Sequence, residues 1–157
     1  MKLYISYFYQ IRFFTPDMVP ISTALYDPKW YRFKAPYVDK RGVLNGYRMP
    51  IFNIPDDRWV RLEEQDLQCR RNCHMELPCA FMKTYKEYLD TLDFDTIMAS
   101  LQDFEKQLNW DHEATFVLMV HEPKQCPCAE RPMLQEWFRE HGVELKEWEK
   151  TDDIHMG

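Results

Sequence analysis

The stretch "ATFVLMV", Ala114–Val120, is an unbroken apolar run of strand length. A strand with one face in water alternates apolar and polar residues, so a run with no polar position suits a strand covered on both faces, as in a parallel sheet. The chain that follows fits that reading. After "HEPKQCPCAE" comes "RPMLQEWFREHG", in which Pro132 suits the first helical position, Met133, Leu134, Trp137, Phe138 and His141 form an inner stripe, and Gly142 suits the C-terminal cap. "VELKEW" then returns as a strand. Strand, loop, helix and strand make a βαβ crossover, and its loop lies at the carboxyl end of a parallel strand, where binding crevices form.

Towards the N-terminus, Lys2–Phe8 and Met18–Ala24 are β-rich runs joined by a turn or short helix around "TPD". Phe81, Tyr85, Tyr88, Leu89 and Leu92 recur at helical spacing, and Ile97, Leu101, Phe104 and Leu108 do so again after the cap-like Asp93 and Asp95. Tyr26 to about Arg58 carries most of the Pro and Gly with aromatics between them, which reads as a long packed loop, and loops of that length inside a domain tend to be functional. The expected fold is α/β: one domain over residues 1–150 with a small, mostly parallel sheet flanked by helices. A long Pro/aromatic-rich loop and a cysteine-rich insertion occupy 26–80, and 151–157 form a frayed tail.

The chain has 157 residues, 45% of them hydrophobic and 15% aromatic, enough to bury a core without disulfides. A formal charge of -6 argues against coating duplex DNA, which needs many cations against phosphates. Gln10 and Arg12 interrupt the apolar opening "MKLYISYFYQIRFF", and no cleavage site of small residues follows, so it reads as a core strand and not as a signal peptide. No stretch approaches the roughly 20 apolar residues that span a bilayer. Five cysteines fit reduced thiols or metal ligands in the cytoplasm better than a secreted disulfide framework.

The loop before the last helix concentrates the candidate chemistry. Unpaired amides and the positive dipole end at a helix start stabilise phosphate, carboxylate or thiolate groups. Cys128, Glu130 and Arg131 lie there, with Glu122 nearby. Cys128 is a candidate nucleophile and Arg131 a candidate anchor for an anionic substrate. The alternative is that Arg131 pairs with Glu122 or Glu130 and the thiols are inert. "CPCAER" is also similar to the Cys-to-Arg loop of sulfurtransferases, although Pro127 removes one of the amides such a loop needs. A second cluster, "CRRNCHMELPC", places Cys69, Cys73 and Cys79 within eleven residues. With Cys126 or Cys128 as a fourth ligand they could hold zinc, or less favourably an iron–sulfur cluster, though the intervals of three and five residues depart from the usual ribbon.

"LYISYF", "VPISTALYDPKWY", "LMVHEPKQCPCAER" and "LQEWFREHGVELKEW" together resemble the domain of unknown function family 488 of bacterial, archaeal and phage proteins, from near Met1 to Glu149. The resemblance implies an α/β fold and a polar site without naming a reaction. Ser6 and Tyr7 match the family's small polar signature at the end of its first strand. Glu122 and Arg131 match its Glu and the Arg of its Cys-His-Arg motif, while Glu130 stands at the His place and Cys128 one residue before the Cys place, a Cys-x-Glu-Arg form of one branch.

These residues give two expectations of different class. The first is a nucleotide, nucleoside or nucleic-acid base bound or acted on at the Arg131 site, with Glu122, Glu130, Cys128 and Ser6 as catalytic candidates. Tyr7, Trp30, Tyr31 and Arg48 are the matching ligand-binding candidates, aromatics serving to stack bases. The second is a non-catalytic interaction protein whose recognition loop is stapled by metal, with sulfur transfer through Cys128 as a third.

Overall fold

The computed structural model describes residues 1–24, 26–31, 36–54, 77–122 and 129–150. The segment with Cys69 and Cys73, the loop with Cys126 and Cys128, and the expected frayed tail all lie outside the described residues.

Among the described residues seven short strands and three α-helices follow in the order β1 (Lys2–Tyr7), β2 (Met18–Ser22), β3 (Tyr37–Val38), β4 (Leu44–Asn45), β5 (Tyr47–Arg48), α1 (Ala80–Asp90), α2 (Phe94–Leu108), β6 (Thr115–Val120), α3 (Glu130–Glu140) and β7 (Lys146–Glu147). A 3-10 helix, Phe8–Phe13, directly follows β1. Five strands form one sheet in the order β5-β2-β6-β1-β7, and every pairing in it is parallel. The run "ATFVLMV" holds the centre: β6 is flanked by β1 and β2 and buried at every position, as its lack of a polar face requires. The expected α/β class and the crossover from β6 through α3 to β7 are both present.

Alternate residues on the strands serve two separate cores. Ile5, Val19, Ile21, Phe116, Leu118 and Val120 face the three helices. Met18, Val117 and Met119 face the opposite way, onto Phe8, Ile11 and Phe14 of the 3-10 segment and onto Tyr31 and Val43. All three described α-helices thus contribute to one core, which Met49, Phe52 and Ile54 of the long loop join, while Tyr31 and Val43 of that loop help cover the other face of the sheet.

That loop contains more regular structure than its Pro and Gly content predicts. β3 and β4 pair antiparallel as a hairpin, and β5 joins the sheet edge beside β2. Strands of two residues carry no readable period, so composition reported only the turns between them. Asp39 organises the hairpin: its carboxylate accepts from the Arg41 and Val43 amides and from the Arg41 guanidinium at 2.7 Å. Burial alone would raise the Asp39 pKa, but the Arg41 and amide hydrogen bonds outweigh it and hold the carboxyl below its ordinary value. A depressed folded pKa means stability that is complete above the unfolded value, about 3.9, and lost as the pH falls through the lower folded one. Urea midpoints of the parent protein and Asp39→Asn should therefore differ at neutral pH and converge below that window. A gap that stays constant with pH would show that the charge contributes nothing.

The helix faces follow the expected stripes except at His141, which is exposed. Phe81, Met82, Tyr85 and Leu89 of α1, Ile97 and Leu101 of α2, and Met133, Leu134, Trp137 and Phe138 of α3 are buried. Lys86 of α1 reaches Glu140 of α3 at 2.6 Å and Asp90 at 3.1 Å. Gly142 takes a φ of 83°, the left-handed geometry expected of it at the end of α3. Among the described residues no helix is long and apolar enough to cross a membrane.

Candidate functional site

Strand connections set where a crevice opens. The chain leaves β2 for the outer neighbour β5, whereas it leaves β6 in the opposite direction, across β1 to β7. Adjacent parallel strands whose continuations diverge leave room outside their carboxyl ends. Ser6, Met119, Ser22 and Arg48 stand in one register row across that edge. Two polar groups flank it, one on each face of the sheet.

On the helix face is Arg131, the second residue of α3. Its side chain is only 5% exposed, its Nε lies 2.5 Å from a Glu147 carboxylate oxygen, and its Nη2 donates to the Glu122 carbonyl oxygen at 2.7 Å. The contact with Glu147 is ionic, close in distance but poorly aligned as a hydrogen bond. Nη1 has no partner among the described residues. The Tyr7 ring lies 5.9 Å from the guanidinium carbon. Arg131 is thus engaged within the protein, as its alternative reading anticipated, but by Glu147 in place of the Glu122 or Glu130 carboxylate. Glu147 sits on β7 opposite Ile5, a register that no local pattern announces. Glu130 opens α3, and its charge and that of Glu122 add to burial in raising the Tyr85 pKa.

Ser6 and Tyr7 meet the returning chain. The Ser6 hydroxyl donates to the Trp148 carbonyl at 2.6 Å, and the Trp148 amide donates to the Ile5 carbonyl at 2.8 Å. Tyr7 donates towards Glu149 at 3.4 Å and accepts from Gln10, whose side-chain oxygen in turn accepts from the Lys150 amide. These bonds fasten residues 148–150 alongside β1, a task that occupies the Ser6 hydroxyl.

On the opposite face the elements after β2, β5 and β6 converge. Asp27 accepts from the Ser22 hydroxyl and lies 2.8 Å from the Arg48 Nε, and Arg48 also donates to the Ala24 carbonyl at 3.0 Å. The Asp27 side chain is buried, so Arg48 supplies its countercharge. Beyond β6, His121 is exposed; its Nε2 contacts the Tyr26 carbonyl oxygen, which can only accept, so the hydrogen belongs on that nitrogen. The His121 ring also lies 5.0 Å from Phe8, and Phe8 meets Trp30 edge-on. Trp30 is half exposed. Tyr31, by contrast, is buried, its hydroxyl within 2.6 Å of the Tyr47 carbonyl and 2.9 Å of that of Pro20, and burial pushes its pKa upward. It is a neutral donor holding β2 to β5.

Of the expected metal ligands, Cys79 is described: it is buried and precedes α1. The others, Cys69, Cys73, Cys126 and Cys128, lie outside the described residues. The sequence reading passed over Asp27, although "YDPKW" places an acid in a Pro turn just past a strand end, which is where this crevice is built. No family model, curated protein or solved structure matches the chain.

Proposed function

We propose that the protein binds a nucleotide, nucleoside or nucleobase-like ligand at the carboxyl edge of its sheet, on the face opposite the three described α-helices. The observation that carries this reading is the meeting of exposed His121 and half-exposed Trp30 on the Phe8 ring, outside the diverging strands β2 and β6. An aromatic face stacks a base and an imidazole can donate or accept, while Arg48 holds Asp27 and the strand end in place. The ligand site is assigned to this face because Trp30 is half exposed and His121 exposed here, whereas the Arg131 side chain, on the other, is only 5% exposed.

The test is a titration of nucleobases, nucleosides and nucleotides followed through the His121 imidazole signals. Saturable shifts at His121 for at least one class support the reading. A panel that moves neither those signals nor the melting temperature removes it.

A further inference from the structure

Beside this edge, between the 3-10 helix and the β3–β4 hairpin, lies a cleft of about 290 Å³. Sites for small ligands start at roughly 300 Å³, so it suits one ring system and a substituent. Phe8, Tyr9, Arg12, Trp30, Tyr37 and Asn45 contribute to its walls.

Three side chains of this cleft are only partly used within the protein. The first is the Trp30 ring, 49% exposed, whose contacts with Phe8 and Tyr31 are both edge-on, at 85° and 81°. Among the described residues no ring lies parallel to it. The second is Arg12, whose guanidinium carbon sits 3.7 Å from the centre of the Tyr9 ring while its Nε donates to the Tyr9 carbonyl at 3.1 Å. That anchors one nitrogen, and among the described residues the two terminal amino groups make no hydrogen bond or ion pair, Asp39 of the same cleft being held by Arg41. The third is Asn45, 2% exposed. Its amide nitrogen donates to the Val43 carbonyl at 3.1 Å and towards Asp39 at 3.4 Å, both acceptors, which fixes which end of the carboxamide is oxygen. That oxygen has no donor among the described residues. A buried acceptor without a donor is costly unless something supplies one.

The geometry points to a ligand that answers all three: we propose that the cleft binds a planar heteroaromatic ring bearing N–H donors and one phosphate, the chemistry of a nucleoside monophosphate. The ring lies against Trp30, an N–H donates to Asn45 Oδ1, and the Arg12 fork holds two phosphate oxygens, the bidentate geometry at which arginine excels. The inference rests on the ligand class proposed above and shares Trp30 with that site, but it adds Arg12 and Asn45, which lie outside the strand edge.

Calorimetry on the full chain with nucleoside monophosphates, the matching nucleosides and inorganic phosphate tests it. Monophosphates should bind tightest, with nucleosides roughly tenfold weaker or more for want of the charge-assisted pair. Phosphate alone should bind more weakly than the monophosphates. Arg12→Gln should bring monophosphates down to the nucleoside level and leave nucleosides unchanged, whereas Trp30→Leu should weaken both. Both side chains are surface groups, and circular dichroism verifies the fold. If Arg12→Gln binds monophosphates as tightly as the parent while the His121 signals still shift, the cleft assignment is overturned and the edge reading stands. Phosphate binding as tightly as monophosphates overturns the cleft as well, because the ring would then contribute nothing. If no ligand in the panel binds and His121 is silent, both fall.

Discussion

Glu147→Leu is expected to cost about 3–5 kcal/mol of folding stability, the scale for removing one partner of a buried ion pair. The substitution strands the Arg131 guanidinium, 5% exposed, with the Glu122 carbonyl as its remaining hydrogen-bond partner among the described residues. Arg131→Met should cost less, because the orphaned Glu147 side chain is 14% exposed and recovers some hydration. The double variant should regain most of the loss, since replacing a buried pair by apolar residues of similar volume is often near neutral. Urea unfolding of the four proteins gives the coupling directly. Additive losses in the double variant would show that the two side chains do not act as a pair. Arg131→Lys should also lose stability, because a single ammonium cannot reproduce the fork that spans Glu147 and the Glu122 carbonyl. A ligand anchor at the same position would give the opposite pattern, weakened binding with stability unchanged.

That contrast shows how far the sequence could be read. The sheet was legible because each main strand is a local pattern: an apolar run at Thr115–Val120 and β-rich runs at Lys2–Tyr7 and Met18–Ser22. The helices were legible for the same reason, with stripes at Phe81–Leu89, Ile97–Leu101 and Met133–Phe138. Arg131 was legible as a polar residue at a crossover loop, but its partner was not, because Glu147 reaches it through the pairing of β7 with β1. Asn45 and Arg12 were equally hidden. Their environments come from a two-residue hairpin and a 3-10 turn that meet across the sheet face, and neither has a period to detect.

Trp137→Ala should be the most damaging truncation in the helical layer, at about 3–5 kcal/mol, as for other buried tryptophans. Trp137 is fully buried on α3 and meets Phe94, at the start of α2, at 5.4 Å and His141 at 5.0 Å. It therefore joins two helices, and the cavity left by truncation lies where neither can readily close it. Its indole nitrogen nevertheless has no hydrogen-bond partner among the described residues. A buried donor left unpaired costs roughly 1–3 kcal/mol, so the native tryptophan carries a penalty inside its own packing gain. Trp137→Phe removes that donor along with some volume, and its loss should fall well short of the alanine value. Thermal unfolding of the two variants decides the matter. If phenylalanine proves as costly as alanine, the N–H has a partner, and the packing around α3 is held by a hydrogen bond as well as by the ring.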